Sequence, residues 1–171
     1  ILVLLFLIAS ATSQVVAQNE IRMGGPEEKV RPQWVKDLEL AQEYYSKGEY
    51  EKALTYLEKL QKSQRLNGAV YELSLNCYLA TEDYRSAEKL VEDFIKNIRG
   101  NNGRYYADLI YVLLEQEKQS KADKVVEDII DNVNDNPGLA YSYADAFQKK
   151  GFPKIALEIY ETAERRIPAA S

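Results

Sequence analysis

The sequence predicts an all-α protein made of about four stacked helix pairs. An alanine recurs four times in a similar setting of charged and aromatic residues, and the four alanines are separated by 34, 35 and 34 residues. Apolar residues around each alanine recur at three- and four-residue steps, which is the period of an amphipathic helix. Such constant spacing indicates supersecondary units that stack on one another. The alanines are Ala53, Ala87, Ala122 and Ala156.

Each unit consists of two predicted helices with a break between them. In the first unit the break falls at Gly48, because glycine readily adopts the left-handed conformation that ends many helices. The apolar stripes on either side consist of Leu38, Ala41, Tyr44 and Tyr45, then of Tyr50, Ala53, Leu57 and Leu60. Turn residues at 67–68, 100–103 and 134–137 separate the units. The predicted repeats are 34–67, 68–102, 103–136 and 137–170.

The pattern resembles the tetratricopeptide repeat (TPR) family, whose unit is a helix–turn–helix of about 34 residues. The resemblance covers residues 34–168. The family's small residue early in the second helix matches the four alanines. Its aromatic residue on the first helix matches Tyr44, Tyr78 and Phe147, with Leu113 in the third unit, and its large residue one turn after the alanine matches Leu57, Val91, Val126 and Tyr160. The resemblance implies a right-handed α-solenoid of about four repeats.

Units two and three depart from the family pattern. Leu75 and Ile110 stand where a small first-helix residue is usual, and Glu117 stands where the turn glycine is usual. We therefore expect these units to stack at slightly altered angles.

Composition excludes several classes of function. Hydrophobic residues make up 46% of the chain and charged residues 29%, which is typical of a folded soluble domain. The net charge of −5 argues against nucleic acid as a partner, since such proteins need a basic surface. The absence of histidine and the single cysteine, Cys77, exclude histidine-based acid–base catalysis, metal sites built from His and Cys, and a disulfide within the chain. We expect a non-enzymatic protein without cofactor or metal, and a buried Cys77.

The first residues differ from the rest. Residues 1–9 form an unbroken apolar run, too short to span a bilayer but suited to the core of a secretory signal peptide. Small side chains at Val15 and Ala17 predict cleavage before Gln18, and Ala9-Ser10-Ala11 is a second candidate cleavage site. We therefore expect a truncated signal peptide at 1–17, a flexible linker at 18–33, and a fragment of an exported protein. Its predicted location is the bacterial periplasm or cell envelope, or the medium after secretion, with no membrane span after signal removal.

The family resemblance implies that first helices line the inner, concave face of the solenoid. By that register the partner-binding residues are Leu38, Gln42, Tyr45, Glu72, Asn76, Leu79, Arg104, Tyr111, Leu114, Tyr141, Asp145 and Gln148. We expect a mixed apolar and amide surface with tyrosine anchors and few charges. Such a surface suits an extended peptide or an amphipathic helix. The alternative is that individual tyrosines pack between neighbouring repeats.

The leading hypothesis is a scaffold that binds a partner protein, with envelope complex assembly as its setting. The alternative is an N-terminal accessory repeat domain of a larger enzyme or sensor, suggested by the lack of a capping helix after Pro168. Self-association through the last repeat is a third possibility, using a face formed by Ile155, Ile159 and Ala163.

Overall fold

The computed structural model describes residues 31–100 and 102–166, and within these ranges all regular structure is helical. The predicted signal peptide, most of the predicted linker and the last five residues lie outside them. The described residues from Gln33 onward belong to one compact unit. Its helices are α1 Gln33–Ser46, α2 Tyr50–Ser63, α3 Gly68–Ala80, α4 Tyr84–Asn97, α5 Gly103–Glu115, α6 Gln119–Asp135, α7 Ala140–Lys149 and α8 Pro153–Glu164, with a 3-10 turn at Pro137–Leu139.

The predicted fold of four stacked helix pairs is confirmed, and the turn inside each pair shows the repeat most directly. Each turn contains one residue with positive φ, which is Gly48, Glu82, Glu117 or Gly151 in turn. The next backbone N–H donates to the carbonyl five residues earlier, for example from Asp83 to Tyr78 at 2.9 Å. This is the Schellman arrangement that ends many helices. Glutamate thus adopts, in units two and three, a conformation that glycine adopts at lower cost.

The four repeated alanines lie at the crossing between the helices of each unit. All four are buried, and Ala53 and Ala87 expose no surface. A methyl side chain lets two helix backbones approach closely, while larger residues one turn away fill the space beside the contact. At this position Leu57 and Val91 are completely buried, whereas Val126 is half-buried and Tyr160 is 40% exposed. The packing role expected of that position is therefore not met at Tyr160, because no described helix covers the outer side of α8.

Two hydrophobic clusters form the core. The smaller one joins units one and two around Ala41, Leu57 and Cys77. The larger one runs through units two, three and four and includes Tyr71, Val112 and Phe147. Cys77 is fully buried as expected, and burial raises the pKa of its thiol to about 11.

The units stack in two different ways. At the second junction, between units two and three, the main contact is between α4 and α5. At the third junction, between units three and four, α5 packs directly against α7 and α6 against α8. The 3-10 turn at Pro137–Leu139 also contacts α6, which is the longest described helix at 17 residues. The pattern of helix contacts therefore changes at the junction between units three and four, while the altered stacking angles expected of units two and three stay a prediction.

The face proposed for self-association is placed differently from expectation. Ile159 and Ala163 are buried and Ile155 is half-buried, because this side of α8 faces α6 and α7. The large apolar side chains that α8 exposes are Leu157 and Tyr160. Within the described residues, no helix is both long and apolar enough to cross a membrane.

Candidate functional site

The first helices of units two, three and four border an open groove of about 520 Å³. Units two, three and four all contribute side chains to it. Its lining is predominantly polar: Glu72, Leu75, Asn76, Arg104, Ala107, Asp108, Ser142, Asp145, Ala146, Lys149 and Lys150.

The start of α3 fixes one wall of the groove. The side chain of Asn67 caps this helix by accepting hydrogen bonds from the backbone N–H groups of Ala69 and Val70. Glu72 and Asn76 follow one turn apart, so both face the same side. Glu72 pairs across the groove with Arg104 of α5, with 3.1 Å between the nearest atoms. Partial burial lowers the pKa of Arg104, but the contact with Glu72 outweighs it and the net pKa is raised.

A buried carboxylate forms the floor. Asp108 is 4% exposed; it accepts one hydrogen bond from the hydroxyl of Tyr71 at 2.8 Å and another from Nζ of Lys150 at 2.6 Å. These three residues belong to units three, two and four, respectively. Burial, and then the charge of Asp108, raise the pKa of Tyr71, so its hydroxyl stays protonated and donates. The ammonium group of Lys150 also lies 5.0 Å from the ring centre of Tyr111.

The opposite wall is formed by α7. Its Lys149 pairs with Asp145 one turn earlier, at 2.7 Å, and this lysine side chain is 75% exposed. The hydrogen bond and charge of Asp145 raise the pKa of Lys149. The lining thus contains three acidic and three basic side chains, arranged as three ion pairs. It offers charges of both signs to a ligand and no excess of either.

Four of the twelve predicted binding residues lie in this lining: Glu72, Asn76, Arg104 and Asp145. The other eight do not. Leu38 and Tyr45 pack against the smaller cluster, and Leu79, Tyr111 and Leu114 against the larger one. Gln42, Tyr141 and Gln148 are exposed on first helices but outside the lining. The lining of this groove contains six charged residues and no tyrosine, since Tyr45 and Tyr111 pack against the hydrophobic clusters and Tyr141 is exposed outside the lining.

The two charged residues of the groove floor, Asp108 and Lys150, were not predicted from the sequence. Asp108 is the only charged residue in the apolar stretch 105–114, and a lone carboxylate there is a signal of a buried partner. Lys150 was less accessible to prediction, since it is one lysine of a pair at the end of α7 and its partner is 42 residues away.

A second buried carboxylate lies at the second junction, away from the groove. Glu88 of α4 is 7% exposed and accepts hydrogen bonds from Gln116 at 2.9 Å, from Lys118 at 2.7 Å and from Lys121. Burial raises the pKa of Glu88, but these three donors outweigh burial and lower its pKa to about 2. All three donors come from unit three, so this cluster joins units two and three. Across the described ranges, no group of three or more His, Cys, Asp or Glu side chains is arranged to hold a metal ion.

Comparison with known proteins gives likenesses of fold. No family model and no curated protein matches the chain. Among solved structures, YrrB, described as a TPR protein with an unusual peptide-binding site, is 18% identical, with 92% of this chain and 75% of that chain covered and a TM-score of 0.45. A mutant of MamA is 17% identical, with coverages of 92% and 88% and a TM-score of 0.45. MamA MSR-1 is 16% identical, with coverages of 92% and 87% and a TM-score of 0.45.

This chain is a helical repeat of stacked helix pairs, and its register resembles that of the TPR unit. Its left-handed turns recur at 48, 82, 117 and 151, in step with the four buried alanines. Within this TPR-like stack the groove is formed by first helices alone, which is the surface that the resemblance singled out.

Proposed function

We propose that the protein is a scaffold that binds a segment of a partner protein along the groove between α3, α5 and α7. The observation that carries the proposal is the open, polar groove to which three units contribute. A groove built from three units is long enough to take a short extended segment or a helix, which are the shapes that repeat proteins bind on such surfaces.

The charge arrangement determines what kind of segment fits. The pairs Arg104–Glu72 and Lys149–Asp145 are largely exposed, and an exposed ion pair contributes only about 0.2–1 kcal/mol. Each can therefore exchange its partner for a charged ligand group at small cost. The buried pair of Asp108 and Lys150 stays in place and keeps the floor rigid. The preferred ligand is a segment with both acidic and basic side chains, together with amide groups that Asn76 can bind.

The setting we propose is the bacterial cell envelope, where the scaffold would help to assemble a complex. Support for export comes only from the apolar run at 1–9 and the small residues that follow it. Fusion of residues 1–33, preceded by a start methionine and a short basic leader, to a reporter that is active only outside the cytoplasm tests this part separately. An inactive reporter would contradict export without affecting the proposed binding groove.

Selection of peptides from a random display library tests the groove, followed by titration of the selected peptides against purified variants. We expect Lys149→Glu and Arg104→Ala to weaken binding about tenfold, because each removes a charge from the groove wall. Lys47→Glu is the matched control, since Lys47 forms the same kind of pair with Glu43 one turn away, outside the groove. Selection of no peptide, or equal binding by all variants, would overturn the proposal.

A further inference from the structure

Exposed large apolar side chains are concentrated on the last unit. In the described ranges four such side chains are well exposed, and three of them belong to unit four: Tyr141 at 74%, Leu157 at 58% and Tyr160 at 40%. The fourth, Leu66, lies between α2 and α3. Single exposed apolar residues are ordinary, but a cluster on one face usually indicates an interaction surface.

The repeat register shows what covers this face in the earlier units. Leu157 corresponds to Glu88, which accepts hydrogen bonds from the following unit. Tyr160 corresponds to Leu57 and Val91, both completely buried. Leu57 shares its cluster with Val70 and other residues of the following unit. The outer side of α8 is therefore the same side that binds a neighbouring helix elsewhere in the stack.

The opposite end of the stack does not offer a suitable neighbour. Unit two presents Val70, Leu73 and Cys77 to unit one, and all three are buried. The corresponding residues at the start of the stack are Lys36, Glu39 and Glu43. Covering Leu157 and Tyr160 with that charged side would take these groups out of water, so a head-to-tail chain of copies is disfavoured.

We propose that the protein forms a two-fold symmetric dimer in which α8 packs antiparallel against α8 of a second copy. Charge favours this arrangement. The exposed stripe begins at Lys154, continues through Leu157 and Tyr160, and ends at Glu164. In an antiparallel pair the basic end of each stripe meets the acidic end of the other, and the contact forms twice. Neither Lys154 nor Glu164 forms an ion pair with another described residue of its own chain.

The size of the face sets the strength of the dimer. Helix α8, which forms the face, has only 12 residues. An interface of this size is small, and we expect dissociation at about 1–100 µM. The groove between the first helices is separate from this face, so the dimer goes beyond the proposed binding function.

Analytical ultracentrifugation of the purified protein up to about 500 µM tests the dimer. We expect a reversible monomer–dimer equilibrium that Leu157→Glu weakens more than about tenfold, because the substitution places a charge at the centre of the interface. Leu66→Glu is the matched control and should leave the equilibrium unchanged. A wild-type monomer over the whole range, or equal effects of the two substitutions, would overturn the proposal.

Charge reversal tests the antiparallel arrangement, and circular dichroism confirms that each variant is folded. Lys154→Glu and Glu164→Lys should each weaken the dimer severalfold, because like charges then meet twice. An equal mixture of the two variants should pair as strongly as the wild type, since one copy then supplies two acidic ends and the other two basic ends. A mixture no stronger than its components contradicts the antiparallel dimer.

Discussion

The second and third junctions join units of the same register, yet they are built differently. At the second junction α4 meets α5, and the buried Glu88 is enclosed by donors of unit three. At the third junction the first helices α5 and α7 pack together, as do the second helices α6 and α8. The buried Asp108 borders the open groove there. Both carboxylates lie inside the stack, but only Asp108, which accepts hydrogen bonds from units two and four, borders a surface where a ligand could bind. Equivalent repeats can thus supply either a closed joint or a lined groove.

The largest effect should come from removing the carboxylate of the third junction. Asp108→Ala leaves the buried hydroxyl of Tyr71 without its acceptor and Lys150 without its counterion. We expect a loss of about 3 kcal/mol in the free energy of unfolding, measured with urea. Asp145→Ala breaks an exposed pair in the same groove and should cost less than about 0.5 kcal/mol. Equal losses of unfolding free energy in the two variants would contradict a stabilising role for the buried Asp108.

The next effect is a pH dependence specific to the second junction. The pKa of Glu88 is lowered from 4.5 to about 2 in the folded chain, so the unfolded state binds its proton first as the pH falls. The stabilisation is therefore complete above about pH 4.5 and is lost as the pH falls toward 2, and it amounts to about 2–3 kcal/mol. Glu88→Gln should remove this component from the unfolding free energy measured between pH 7 and pH 2. An unchanged pH profile in the variant would refute the assignment.

The smallest expected effect is a difference in stability between alanine substitutions at two equivalent glycines, Gly103 and Gly68. A Cβ atom at Gly103 would lie 2.8 Å from the Tyr143 ring and 3.0 Å from the backbone oxygen of Ser142, whereas Gly68 has nothing within 4 Å. Gly103→Ala should therefore lower the unfolding free energy by about 1–2 kcal/mol. Gly68→Ala, at the same place in unit two, should change it by less than about 0.5 kcal/mol. Thermal and urea unfolding measure both changes in unfolding free energy. Equal changes in the two variants would contradict the close contact at Gly103.

Much of the fold follows from local chemistry, and so it could be predicted. The alanines, the left-handed turn at Gly48 and Pro153 at the start of α8 are signals that act within one unit. The turns at Glu82 and Glu117 adopt the same conformation without glycine, because the packing of their units fixes the backbone there. Spacing alone located these turns, while residue type would have missed them.

The candidate site was predicted less well, because it depends on contacts between units. Glu72, Asn76, Arg104 and Asp145 follow from helix register, which sets the side of a helix on which a residue lies. Whether Tyr111 turns toward the groove or the core depends on the stacking at the third junction, which no local pattern determines. Lys150 reaches Asp108 only because α5 and α7 lie side by side.

The reactivity of Cys77 can report local unfolding of the stack. It is the only cysteine in the sequence, it is fully buried in the cluster between units one and two, and its thiol has a raised pKa. A thiol reagent can therefore reach it only when the chain opens around that cluster. The rate at which a thiol reagent labels the wild-type protein therefore measures how often units one and two separate. No engineered probe is needed to follow local unfolding at this end of the stack.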